Sequence, residues 1–133
     1  MSGIATDMKR IAISNGTKRR PLGDRVWLAD GYWTRLRGLL GRPEIRDGEG
    51  MLITPCRGVH MYGMKYALDV VFIDRARRVV ALYQQLAPGR RTRVHREARF
   101  ALELPVGTIQ SSETEEGDTL EWGPLGERDL VTG

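Results

Sequence analysis

The sequence predicts a mainly β domain, a sandwich or barrel-like arrangement of about seven or eight short strands with one α-helix near residues 31–41. Three observations lead there. The chain has 133 residues, enough for one core and too few for two with a linker. Most apolar residues fall in short runs bounded by turn residues, the pattern of strands rather than helices. A single segment switches to a helical period.

Taken in order, Ile11 and Ile13 alternate before Asn15-Gly16, a dipeptide suited to a tight turn. Arg25 to Ala29 contains Val26 and Trp27, residues that suit a pleated surface, and stops at Asp30-Gly31. From there Trp33, Leu36, Leu39 and Leu40 recur at helical spacing, with Asp30 as an N-cap and Gly41 and Pro43 as the stop. Strands resume at Gly50 to Thr54, Gly58 to Tyr62, Leu68 to Ile73 and Val79 to Leu86. Leu68-Asp69-Val70-Val71-Phe72-Ile73 is apolar on both faces apart from Asp69, as expected of a strand covered on both sides. Residues 87–97 are polar and turn-like; Phe100, Leu102 and Leu104 then alternate with Ala101 and Glu103 up to Pro105. A last strand covers Thr119 to Trp122. The reading is one domain over residues 11–125, with residues 1–10 a flexible leader and 126–133 a flexible tail.

Composition narrows the function. Apolar residues make up 41% and charged residues 29%, a balance that builds a core and departs from that of disordered chains. No run approaches the length of a membrane span, the N-terminus lacks a signal-like apolar stretch, and Cys56 is the sole cysteine. A cytoplasmic protein without membrane insertion is expected. The net charge is +4, and only Lys9, Lys18 and Lys65 of the 21 basic residues are lysines. Arg90, Arg91, Arg93, Arg96 and Arg99 crowd one segment, and Glu113, Glu115, Glu116 and Asp118 another. The two clusters are of a kind that attract each other across a fold.

Several phrases occur together: TRLRGLLGR at 34–42, GML at 50–52, HMYGMKYALDVVFID at 60–74, FALELPVG at 100–107 and EEGD at 115–118. In this order they resemble the small bacterial and archaeal family called domain of unknown function 192, over about residues 25–123. The resemblance implies a two-sheet sandwich of jelly-roll type and no established reaction. The common family form carries Trp-Met-Lys-Asn-Thr before Leu-Asp; here Met64 and Lys65 match, while Tyr62-Gly63 precede them and Tyr66-Ala67 follow. A role for the missing Asn-Thr pair does not transfer.

Four sets of residues could carry chemistry. Cys56, His60 and Met64 offer a thiol, an imidazole and a thioether that suit a soft metal. On an extended chain, however, residues four apart lie about 13 Å from each other, so a buried cysteine, a hydrogen-bonded histidine and a core methionine are the simpler reading and no metal is expected. Cys56 with His60 and Asp69 would make a nucleophile, a base and an orienting acid, although no nucleophile-elbow motif surrounds Cys56. Asp69 and Glu103 sit inside apolar strands, where a carboxylate must find partners or raise its pKa; on neighbouring strands they could line one pocket with His60 and Lys65. Arg90, Arg91, Arg93 and Arg96 could bind RNA or another polyanion, but no aromatic residues interleave with them for base stacking, and a solvated loop is the plainer reading.

The reading favoured by these residues is a non-catalytic module that binds a small ligand or a protein partner through His60, Met64, Lys65, Asp69 and Glu103, without a cofactor. An enzyme using Cys56, His60 and Asp69, and a polyanion binder using the arginine segment, are the rivals. Nucleic acid ranks last among the partners.

Overall fold

The structure, a computed structural model, describes residues 9–29 and 44–124. The helix predicted near residues 31–41 lies outside them. The described residues contain seven strands: β1 (Lys9–Asn15), β2 (Arg20–Ala29), β3 (Glu49–Ile53), β4 (Leu68–Asp74), β5 (Val79–Leu86), β6 (Ala98–Leu104) and β7 (Leu120–Pro124), with a short helix α1 (Thr108–Ser112) between the last two. Lys9 and Arg10 of β1, outside the domain on the sequence pattern, pair with Leu28 and Trp27 of β2. Nothing in the local pattern marks α1, which spans little more than one turn.

The strands form one mixed sheet in the order β5-β4-β6-β3-β2-β1-β7, not the two sheets of a jelly roll. β3 is the reason. It pairs parallel with β2 on one side and antiparallel with β6 on the other, joining what would otherwise be two separate halves. The sheet then curls until its outermost strands meet at one end. There Val79 N–H donates to Asp118 O, Gly117 N–H to Val79 O and Leu120 N–H to Arg77 O, each at 2.8 Å. Pairing the edges in this way satisfies backbone groups that an open sheet would expose.

Curling gives the sheet an inner and an outer core. Ile11, Ile13, Val26, Leu52, Val71, Ile73, Leu102 and Leu120 fill the inside, joined by Ile109 of α1. Met51, Ile53, Val70, Phe72 and Ala101 carry the outer core, which is covered by Val59 and Met61. This explains the continuous apolar run of β4, since its alternate residues enter different cores.

The acidic segment after α1 is engaged by the β1–β2 turn, and not by the arginine segment. Lys18 Nζ lies 2.7 Å from Asp118 and 3.1 Å from Glu115, and Arg20 pairs with Glu113 at 3.2 Å. Asn15, fully buried, donates to Thr114 and Asp118. Among the described residues, Arg90, Arg91, Arg93 and Arg96 have no ion-pair partner.

Candidate functional site

Between β3 and β4 the chain runs back across the outer core, and between β5 and β6 it does so again in the opposite direction. The two segments pair. Met61 N–H donates to Arg90 O (2.7 Å), Thr92 N–H to Val59 O (2.9 Å), Gly89 N–H to Met61 O (2.9 Å) and His95 N–H to Arg57 O (2.8 Å). The result is a short antiparallel ribbon with His60 opposite Arg91. Those two residues form a non-hydrogen-bonded pair, the type that brings facing side chains closest.

Alternation along the ribbon separates its faces. Val59 and Met61 are buried in the outer core, while His60 and Tyr62 are exposed. On the other side Arg91 and Arg93 are exposed about half-buried Thr92, whose hydroxyl accepts from Val59 N–H at 3.1 Å. A groove of about 790 Å³ runs along the outward face, lined by Gly58, Val59, His60, Tyr62 and residues 91–94. No acidic residue lines it. The His60 and Tyr62 rings lie 5.0 Å apart between centroids, inclined at 35°. Tyr62 and Val94 are 57% and 67% exposed, two of the three large apolar side chains left open to solvent among the described residues.

The ribbon is held from behind by His95. Its ring stacks 4.7 Å from Phe72, and its Nε2 lies 2.7 Å from the Tyr83 hydroxyl. Burial first, and the Arg93 charge second, lower the His95 pKa below its ordinary value.

The residues singled out from sequence therefore divide. His60, Arg91 and Arg93 meet at the groove, whereas Arg90 and Arg96 are exposed without lining it. Cys56 and Met64 pack against the outer core, on the side of the ribbon away from His60, and the Cys56 thiol donates to Gly58 O at 3.2 Å. Lys65 is exposed beyond the turn at Met61–Met64.

Asp69 and Glu103 are on neighbouring strands but do not share a pocket. Val70 pairs with Glu103 and Asp69 with Leu104, which puts the two carboxylates on opposite faces. Asp69, fully buried, accepts from Gln85 N–H (3.0 Å), Gly107 N–H (3.1 Å) and Ile109 N–H (2.9 Å). These bonds hold a bulge in β5 and the start of α1, so Asp69 is occupied by backbone and does not orient His60. Glu103 instead lies in the row Tyr83, Val70, Glu103, Met51, Trp27 that crosses the outer face from β5 to β2. It is buried without a hydrogen-bond or ion-pair partner among the described residues, and burial pushes its carboxyl up to about 7.

The sequence reading missed the aromatic component because Tyr62 and the arginines are about thirty residues apart. A signal was present: apolar and polar residues alternate at 59–62 and small and basic ones at 91–93, the period of a two-faced strand in each case. Tyr83 and His95, 12 residues apart, carry no such pattern.

The profile of DUF192, described as an uncharacterized ACR family, matches residues 12–122. The chain belongs to this family. A UPF0127 protein of Thermococcus kodakarensis is 32% identical over 122 residues, covering 88% of this chain and 76% of that one. A UPF0127 protein of Pyrococcus furiosus is 33% identical over 114 residues, covering 84% and 97%. Two crystal structures are similar in fold. A protein of unknown function from Novosphingobium aromaticivorans superposes with a TM-score of 0.73 at 24% identity, covering 86% of this chain and 85% of that one. A proposed transcription regulator from Sinorhizobium meliloti superposes with a TM-score of 0.69 at 26% identity, covering 86% and 93%. Both UPF0127 relatives come from archaea. Among the described residues of this chain, no helix is long and apolar enough to cross a membrane.

Proposed function

We propose that this domain is a non-catalytic binding module whose ligand is an anion held on the outward face of the ribbon. The supporting observation is the pairing of His60 with Arg91, which sets Arg91 and Arg93 beside an exposed aromatic pair in a groove without acids. Arginines left without ion-pair partners keep their full attraction for an incoming anion. The description of the Sinorhizobium meliloti relative as a proposed transcription regulator points towards a polyanion as well. The rival reading through Cys56 and His60 loses its orienting acid, since Asp69 is committed to three backbone amides on the other face of the sheet.

The test is an NMR titration of the labelled protein with inorganic polyphosphate. Amide shifts are expected to cluster at residues 58–62 and 91–94 and to weaken as salt is raised. Shifts clustering elsewhere, or none at all, would overturn the reading.

A further inference from the structure

We infer that the ribbon takes single-stranded nucleic acid, with a base stacked on Tyr62 and the neighbouring phosphates on Arg91 and Arg93. This rests on the anion-binding reading above and adds the class of ligand. Three features of the groove select that class. An exposed tyrosine ring beside an imidazole offers a flat apolar surface that phosphate alone would not use, and it fits an unpaired base, whose face is free to stack.

Arg91 and Arg93 alternate along an extended segment, so their Cα atoms stand about 7 Å apart on the same side. That spacing suits successive phosphates of an extended strand better than the single clustered anion of a small metabolite. The groove also lies on the outside of the ribbon, whereas small-molecule sites enclose most of the ligand surface. Val94, exposed next to Arg93, adds an apolar contact for a base or sugar. Arg57, Arg90 and Arg96, all exposed at the margins of the ribbon, extend the positive field along the path of the strand.

A duplex does not satisfy this combination, because its bases are stacked on each other and withdrawn from Tyr62. With Arg91 and Arg93 on phosphates and the Thr92 hydroxyl already bonded to Val59 N–H and Arg93 O, few side chains of the groove are left for base-specific readout. Binding with little sequence preference is the consequence, with affinity set by stacking and salt.

Fluorescence anisotropy of labelled oligothymidylate and oligouridylate tests the inference, with a DNA duplex and inorganic polyphosphate as competitors. Single strands are expected to bind more tightly than either competitor. Tyr62→Ala should weaken single-strand binding roughly tenfold and polyphosphate binding by much less. Replacing Arg91 and Arg93 together by Ala should weaken both ligands and reduce the slope of log affinity against log salt by about 0.7 for each phosphate that is no longer neutralised.

Gly58→Leu supplies an independent variant. A Cβ at Gly58 meets its nearest neighbour, Arg93 O, at an ordinary 3.6 Å, so a side chain can start there without a clash, and Gly58 itself lines the groove that the leucine would crowd. It should abolish single-strand binding without lowering the melting temperature. Equal or tighter binding of duplex, or an equal loss of polyphosphate binding in Tyr62→Ala, would overturn the single-strand inference and leave the anion reading standing. Failure of both polyphosphate and oligonucleotides to bind would overturn both.

Discussion

Asp69 and Glu103 occupy adjacent strands one residue out of step, so one carboxylate enters the inner side of the sheet and the other the outer side. The two meet the cost of burial in different ways. Asp69 is met by three backbone amides, whereas burial without a partner pushes the Glu103 carboxyl up to about 7.

Asp69→Ala should be among the most destabilising single changes in the domain. It removes the acceptor of three backbone N–H groups, two of them at α1 and one at Gln85, whose φ of 55° marks the β5 bulge. A loss of about 3–5 kcal/mol is expected in urea denaturation, with faster amide exchange at Gln85, Gly107 and Ile109. A loss below about 1 kcal/mol would mean that water replaces the carboxylate.

Glu103 makes stability fall with rising pH. The unfolded carboxyl ionises near 4.5 and the folded one near 7, so between those values the unfolded state gains a favourable ionisation that the folded state does not share. The contribution is complete below pH 4.5, is lost through pH 7, and amounts to about 3 kcal/mol. Glu103→Gln removes the titration, and its stability relative to wild type should rise by that amount from pH 4.5 to 8. A difference that stays constant with pH would show that the carboxyl is solvated in the folded state.

His95 should titrate below 6.5, because burial and Arg93 both disfavour its cation. Only two histidines are present, so the ring resonances of His60 and His95 can be followed separately by NMR. A depressed folded pKa contributes stability above 6.5 that is lost as pH falls through the folded value. Acidification should therefore speed exchange of the His95 amide, which donates to Arg57 O, before the sheet itself opens. A His95 midpoint above 6.5 would contradict the packing against Phe72 and Tyr83.

Closure of the sheet depends in part on Arg77. Its guanidinium lies 3.9 Å from the Trp122 ring centroid and its Nη1 donates to Trp122 O at 2.8 Å, linking the β4–β5 turn to β7. Arg77→Ala should cost about 1–2 kcal/mol and raise amide exchange at Val79, Gly117 and Leu120. Unchanged exchange at those amides would show that the backbone bonds close the sheet unaided.

Most strand positions were legible because side-chain alternation is a local property, although Gly58 to Tyr62, expected as a strand, forms only the isolated bridge of His60 to Arg91. Ile11 and Ile13, the doubly apolar β4 and the Phe100–Leu104 alternation each identify a strand without reference to any partner. The two buried carboxylates were legible in the same way, as charges in apolar runs. Which of them found partners was not, since it depends on α1 and the β5 bulge reaching Asp69. The parallel pairing of β2 with β3 was equally hidden, and with it the change from two sheets to one.

Residue identity and period thus set the mainly β class, the apolar faces and the candidate groups His60, Asp69, Glu103 and the arginines. Tertiary structure set the company each one keeps. Pairing of residues 57–61 with 89–95 joined His60 and Tyr62 to Arg91 and Arg93, and the β4–β6 register parted Asp69 from Glu103. The physical reason is that periodicity fixes only how side chains alternate along one strand, whereas register between distant strands fixes which face and which neighbours they share, and a one-residue difference reverses the face.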